Sequence, residues 1–371
     1  VFNGFREFTE EQIAGFDPHL RIVSENGAYI KNTDSLLELC SRLPQIKNTS
    51  EVLSGRCVAV RRKKMQVFNL KGADEDKLLN VSGLKKHIVM GSYPPIGEMN
   101  FPPIVLGGRL ADGLNALPGD TITLLSPQII ESSVLQMNLS PGIETKLTAL
   151  FSSPSDEYNS SVGFCSKDLA AKLMKVSPDA VSYIALRLYD KKNTEEIQSA
   201  LNALLGGDYK VISWKDMNKD LLDIMEFESM AAFAVLSLIV VIAAFNLLAS
   251  LSLTVLEKVQ DIAALRSMGA GKELIKMIFI AEGVTVGIIS TLAGLVLGIG
   301  FCLGQMEYGW ISLKLLNLDP ALYVIDAIPV SIDYFAVAAT VIITLGLSFA
   351  VTIYPAGRAV KAGIAESLRY E

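Results

Sequence analysis

An α-helical membrane protein carrying a large α+β extracytoplasmic domain is the fold class written into this sequence. Half of the 371 residues are hydrophobic and 19% are charged, and the mean hydropathy is +0.38. The apolar residues are unevenly spread. Residues 1–228 carry charges throughout, whereas three long runs, Ser229 to Leu256, Gly283 to Met306 and Tyr334 to Gly357, carry none. Each exceeds the roughly 20 residues that a helix needs to cross about 30 Å of hydrocarbon. A soluble core helix rarely stays uncharged for so long, so three in succession predict membrane spans. The net charge of −6, from 33 basic and 39 acidic residues, lacks the basic excess of a nucleic-acid binder.

Loop charges predict the orientation. Lys258, Arg266, Lys272 and Lys276 follow the first run, and Arg358, Lys361 and Arg369 follow the third. The loop at 307–333 has Lys314 as its single basic residue against Glu307, Asp319, Asp326 and Asp333. The positive-inside rule then places 257–276 and the tail 358–371 in the cytoplasm, and 307–333 outside. On that reading the chain divides as follows: a domain at 1–213, a connecting helix at 214–228, spans at 229–256, 277–306 and 334–357, and the loops between them. The domain must lie outside. Its export predicts a further span ahead of Val1, with Phe2 and Phe5 at that span's outer end near the lipid headgroups.

Within the domain, short strands and helices alternate. Pro18–Val23 reads as a strand, and Thr33–Leu43 as a short helix capped by Thr33 or Asp34. "EVLSGRCVAV" and "MQVFNLKGAD" read as two strands around the basic turn Arg61-Arg62-Lys63-Lys64. Pro102–Pro127 gives a strand, a helix with Leu110, Leu114 and Leu117 on one face, a Pro-Gly-Asp turn and a second strand. After a strand at Thr145–Phe151 come helix Lys167–Met174, strand Val181–Leu188, helix Thr194–Leu205 and strand Tyr209–Ser213. The mixture predicts a two-lobed α+β domain. Cys40, Cys57 and Cys165 are too scattered for a disulfide framework and read as small buried hydrophobes, with a Cys40–Cys57 bridge left open.

Between two of these strands lies "SPQIIESSVLQMNLSPG", residues 126–142, with Ser-Pro at both ends. Proline cannot donate to a ladder, so the segment reads as a protrusion. It holds Ile129, Ile130, Val134, Leu135, Met137 and Leu139. They are either a docking surface or chain that folds back onto the domain. Further on, Trp214, Met217, Leu221, Ile224 and Met225 recur at helical spacing, so 214–228 reads as an amphipathic helix leading into the first run.

Catalytic chemistry is scarce. His19 and His87 have no partners at metal-ligand spacing. "GAGKE" at Gly269–Glu273 fails as a Walker A loop, because Arg266 stands where an earlier glycine belongs and Glu273 where Ser or Thr belongs. The chain is therefore not itself expected to hydrolyse ATP. "GLVLGIG" lies in a membrane run, where Gly294 and Gly298 read as a small-xxx-small face for close helix packing. Glu282 is either a functional intramembrane carboxylate or a partner of the basic loop.

The stretch "EKVQDIAALRSMGAG" stands between two spans. Val259, Ile262, Ala263 and Leu265 alternate with charges, and Gly269 suits the position just past a helix end. A short helix lying at the cytoplasmic face would suit a membrane subunit gripped by a separate motor. An ordinary interfacial loop is the other reading.

"EKVQDIAALRSMGAGKELIKMIFIAEG" and the closing "TIYPAGRAVKAGIAESLRYE" resemble the signatures of FtsX/MacB-type ABC transporter permeases. "NGF…FDPHLRI", "VLGGRLADGLNALPGD" and residues 209–251 resemble the lipoprotein-releasing permeases of the LolC/LolE family. The resemblance implies four spans with the first ahead of this chain. It implies a second permease, LolC/LolE-like or an identical copy, and a cytoplasmic LolD-like ATPase dimer that binds ATP and Mg, with no cofactor on this chain. A coupling helix would use Glu257, Val259, Asp261, Ile262, Leu265, Arg266, Met268, Gly269 and Ala270. Phe2, Phe5, Met230, Phe233 and Leu236 would line a cavity for lipoprotein acyl chains between the first two spans of the paired subunits, beside membrane lipids. The protrusion would dock a LolA-like periplasmic carrier. The expected location is the bacterial inner membrane. The alternatives are a MacB-like efflux permease and an FtsX-like regulator of a cell-wall hydrolase.

Overall fold

The computed structural model describes residues 2–27, 29–30, 33–93, 100–126, 142–153, 156–311 and 328–361, without the side chains of Phe2 and 358–361. Two compact units emerge: Thr9–Leu222, and Asp223–Glu371 together with Val1–Phe8.

The described residues of Thr9–Leu222 form ten strands. They are β1 (Leu20–Ser24), β2 (Ile46–Arg61), β3 (Lys64–Ala73), β4 (Ile88–Gly91), β5 (Pro103–Gly107), β6 (Thr121–Leu125), β7 (Ile143–Phe151), β8 (Val162–Ser166), β9 (Tyr183–Leu188) and β10 (Tyr209–Ser213). The ladders β2–β3, β3–β8, β8–β5, β5–β7, β7–β6 and β6–β2 form a closed ring of six strands. Closure removes the unpaired edges that an open sheet would expose. β2 is long enough to serve twice. Its stretch from Ile46 to Val52 pairs with β9, which continues through β1 to β10. The two expected lobes are therefore one continuous body that shares a 16-residue strand.

Helices cover this frame: α1 (Phe2–Phe16), α2 (Asp34–Ser41), α3 (Glu75–Val81), α4 (Leu84–His87), α5 (Gly108–Leu114), α6 (Asp156–Ser161), α7 (Lys167–Met174), α8 (Thr194–Leu205) and α9 (Trp214–Met217). Alternation along the strands sorts side chains into separate cores. Leu53, Cys57, Phe68, Leu70, Ile104, Ile122 and Cys165 pack together with α5 and α7. Leu20, Ile22, Cys40, Ile184 and Leu186 pack with α2 and α8. Cys40 and Cys57 thus belong to different cores, and all four cysteines are free. Burial pushes the Cys40 thiol up to about 11 and the Cys57 thiol up to about 12. The buried-hydrophobe reading holds, and the bridge does not form.

One local expectation is corrected. Asn115 turns left-handed at φ 50 and ends α5, so Leu117 leaves the helix face and is 60% exposed. The basic turn is partly spent on structure. Arg61 pairs with Asp120 at 2.7 Å, and Lys64 donates to Asn115 Oδ1 at 2.8 Å.

The second unit holds α10 (Lys219–Glu257), α11 (Val259–Ser267), α12 (Lys272–Tyr308) and α13 (Tyr334–Lys361). Three of these are long and apolar enough to cross a membrane. α10 is one helix of 39 residues. α12 and α13 meet at glycines, but not at those the sequence suggested. A Cβ on Gly283 would lie 2.4 Å from Thr352 Oγ1, and one on Gly287 2.8 Å from Ser348. Gly294 and Gly298 have nothing within 4 Å and instead line an open groove of about 540 Å³. Small residues permit close packing only where a partner backbone arrives. Here the hydroxyl residues Ser348 and Thr352 are that partner.

Gly283→Ala and Gly287→Ala should therefore destabilise the membrane unit by about 1 kcal/mol or more, since overpacking typically costs about 1–3 kcal/mol. Gly294→Ala should be neutral or stabilising by up to about 1 kcal/mol, from the helix propensity of alanine. Thermal melting in detergent micelles reads the difference. Equal shifts at Gly287 and Gly294 would contradict the seam.

Candidate functional site

Two places in this chain stand out by their side-chain and backbone geometry. The first is α11 and its exit turn. Lys258 Nζ meets Asp261 at 3.1 Å on the exposed surface. Ile262 is buried at 4% exposure among Val255, Ile275, Phe279 and Ala356, with Ala270 packed against them. This corrects the expectation that Ile262 faces a partner: it pins α11 onto the ends of the long helices. Glu257, Asp261, Leu265 and Met268 remain exposed, Met268 by 76%, while Val259 and Arg266 are half-buried.

The exit turn is a Schellman motif. Ala270 N–H donates to Leu265 O at 3.0 Å, and Gly269 N–H donates to Arg266 O at 3.1 Å. Gly269 sits at φ +98. That conformation is open to glycine and strains any other residue by roughly 1–2 kcal/mol. Asp261, Leu265 and Met268 thus form a firm, exposed ridge with both apolar and anionic groups.

The second place is the joint where helices meet the domain. α1 leaves its last carbonyls unbonded, as every helix does. Arg187, on β9, takes up two of them and the next carbonyl along: it donates to Ala14 O at 2.9 Å, Gly15 O at 2.9 Å and, just past the helix, Asp17 O at 2.8 Å. A cation here also complements the negative end of the helix dipole. His19 accepts from Leu188 N–H at 3.2 Å through Nδ1. Burial, then Arg187, lowers its pKa to about 4, so the ring is neutral and serves structure. His87 likewise contacts Gly83 O through Nδ1 at 2.8 Å.

The other connector is fastened beside it. Trp214 N–H donates to His19 O at 3.0 Å. Its ring, 2% exposed, packs on Ile13 and Ala14, with Met217 and Leu222 against them. Ser213 and Asp216 close a capping box on α9. The amphipathic helix expected over 214–228 is interrupted. Asn218 Nδ2 and its backbone N–H both bond Trp214 O, and α10 restarts at Lys219. The break shifts the helical phase, so Leu221 and Ile224 are 41% and 57% exposed while Leu222 and Met225 turn inward.

The expected cavity residues that the structure describes lie on exposed helix faces. Met230, Phe233 and Leu236 recur at every third position on α10 and are 61%, 70% and 59% exposed. Phe5 is 46% exposed on α1, and the Phe2 side chain lies outside the described residues. Ile129, Ile130, Val134, Leu135, Met137 and Leu139 also lie outside the described residues. Sequence reasoning missed Arg187 and His19. A lone arginine in a strand gave no signal, because its partners are main-chain carbonyls far away in sequence.

At the far end of α12, Tyr308 and Trp310 stack with centroids 6.1 Å apart and are 69% and 57% exposed. Gln305 donates to Ile311 O at 3.1 Å and Ile328 O at 3.2 Å, and accepts from Ile311 N–H at 2.8 Å. Exposed aromatic rings at a span's end are typical of a membrane–water boundary.

The FtsX-like permease C-terminal family matches residues 233–364, which include α11 and the glycine seam. The lipoprotein-releasing system transmembrane protein LolC of Neisseria meningitidis is 29% identical over 380 residues, covering all of this chain and 89% of that protein. LolE of Haemophilus influenzae is 27% identical over 384 residues, covering 99% of this chain and 89% of that protein. The periplasmic region of MacB from Actinobacillus actinomycetemcomitans aligns in structure over 57% of this chain and 96% of that one, at 15% identity and a TM-score of 0.38. Over residues 233–364 the chain is similar to the FtsX-like permease C-terminal family and, along its whole length, to the transmembrane proteins of lipoprotein-releasing systems.

Proposed function

We propose that this chain is the permease subunit of an ABC transporter that extracts lipoproteins from the bacterial inner membrane and releases them to a periplasmic carrier. A separate ATPase supplies the energy. The observation that carries this reading is the whole-length similarity to LolC and LolE proteins. The exposed ridge on α11 supports it independently. A subunit without a nucleotide site needs a place where a motor can push.

The finer architecture belongs to the same proposal. α11 and the basic tail lie in the cytoplasm, in keeping with the positive-inside rule, and the aromatic end of α12 lies at the outer surface. A fourth span precedes α1. Two permeases pair, and two ATPases with ATP and Mg grip their α11 helices. The protrusion at 126–142 meets the carrier, and the exposed apolar stripe of α10 with Phe5 borders the substrate.

The mechanism is mechanical. Closure of the ATPases pushes α11, which Ile262 fixes to the long helices. α10 carries the displacement without a break, and the joint at Arg187 and Trp214 passes it to both connectors at once. Transfer out of the membrane is costly, because each acyl CH₂ leaving hydrocarbon costs about 0.8 kcal/mol. Nucleotide energy and an apolar receiver together offset that cost.

Purified with its ATPase and a second permease in proteoliposomes, the chain should release lipoprotein to a soluble carrier in an ATP-dependent way. Unaltered ATPase activity on adding lipoprotein, with no release, would overturn the reading. Glu257→Lys with Asp261→Lys should cut release at least about tenfold while leaving the fold intact, as circular dichroism would show. Gly269→Val should cost roughly 1–2 kcal/mol locally and lower the coupling of release to ATP hydrolysis. Normal release from either variant in an assembled complex would refute the role of α11.

A further inference from the structure

Lys71 lies on β3 inside the domain, 9% exposed. An ammonium has three N–H donors and is costly to bury without acceptors. Lys71 Nζ donates to the Tyr158 hydroxyl at 3.1 Å. That hydroxyl is already shared, since Arg21 Nη2 donates to it at 3.2 Å and it donates in turn to Asp17 Oδ1. Arg21 also pairs directly with Asp17 at 3.1 Å. One carboxylate thus faces two cations, and the better-placed one is the arginine. The Lys71 amine is left against ring faces, 4.3 Å from Tyr158 and 5.9 Å from Phe164.

Its surroundings are otherwise apolar or unsatisfied. A cavity of about 20 Å³, room for a single water, is lined by Lys71, Asp17, Ser50, Tyr158, Tyr183, Phe16, Leu78 and Val81 among others. Ser50 Oγ and Arg21 Nε are buried with no hydrogen-bond partner among the described residues. The charged and titratable groups facing the amine are Asp17 before β1, Arg21 on β1, Glu157 and Tyr158 on α6, and Tyr183 on β9. Burial, and then Arg21, pulls the Lys71 amine down to about 7, against opposing pulls from Asp17 and Glu157.

The place matters because Asp17 directly follows α1, whose last residue Phe16 packs on Phe151 and Tyr158 at ring separations of 5.5 and 5.3 Å. We propose that Lys71 is a proton-operated latch on the end of α1. With the amine neutral, Asp17, Arg21 and Tyr158 close as a one-to-one ion pair that holds α1 to the barrel. Protonation from water places a buried charge beside the Arg21 guanidinium, and that burial cost and repulsion loosen the end of α1. The latch holds whichever substrate the permease handles.

The sign follows from linkage. The folded amine binds its proton less tightly than in the opened or unfolded chain, where it returns to 10.5. Stability of the closed state therefore rises with pH from about 7 to about 10.5, and is flat and lowest below that window. Hydrogen exchange of residues 9–24 in the full-length protein in detergent, corrected for intrinsic exchange rates, measures the opening. From pH 7.0 to 8.5 the wild-type opening constant should fall about 15-fold. In Lys71→Met, or in Lys71→Gln should the first variant not fold, it should stay constant. A wild-type opening constant independent of pH would overturn the latch, as would an equal pH dependence in the variants.

Discussion

Three hydrogen bonds from one guanidinium to the carbonyls of Ala14, Gly15 and Asp17 hold this architecture together at its most demanding point. A helix that ends against a protein body leaves several acceptors without partners, and each is costly if buried unmet. Arg187 satisfies them with the planar fork that lysine lacks. Because Arg187 sits on β9, and β9 pairs with both β1 and β2, the end of α1 is tied to the strand that joins barrel to sheet. Trp214 then uses Ile13 and Ala14 as its packing surface. The two connectors are consequently fastened to one another as well as to the domain.

The membrane unit solves a related problem by different means. Lipid gives no hydrophobic incentive for helices to associate, so contact depends on fit. Gly283 and Gly287 let α13 approach through Ser348 and Thr352, and the same end of the unit buries Ile262. A short helix that would otherwise hang loose is thereby fixed at one side chain.

Much of this was legible in the sequence. Uncharged runs gave the three spans, Gly269 gave the turn, and helices α7 and α8 came out to the residue because Ser166 and the Thr194 region mark their starts. Closure of the barrel was not legible, because it depends on β2 pairing on both flanks with strands that are distant in sequence. The glycine seam was misplaced for the same reason. Gly294 and Gly298 have the same spacing as Gly283 and Gly287, and only the position of Ser348 and Thr352 separates the two pairs. Leu117 was misread because a left-handed asparagine ended its helix early. The latch around Lys71 draws on α1, β1, β3, α6 and β9, and leaves no local pattern.

The central claim is that work done at α11 reaches the domain through the joint at Arg187. Its most direct measurement is the amount of lipoprotein released per ATP hydrolysed in a reconstituted complex carrying Arg187→Lys. This change keeps the charge and removes the fork. The account predicts ATP hydrolysis near the wild-type rate, with release per ATP at least about tenfold lower. An unchanged ratio, in a variant whose domain is folded, would contradict it.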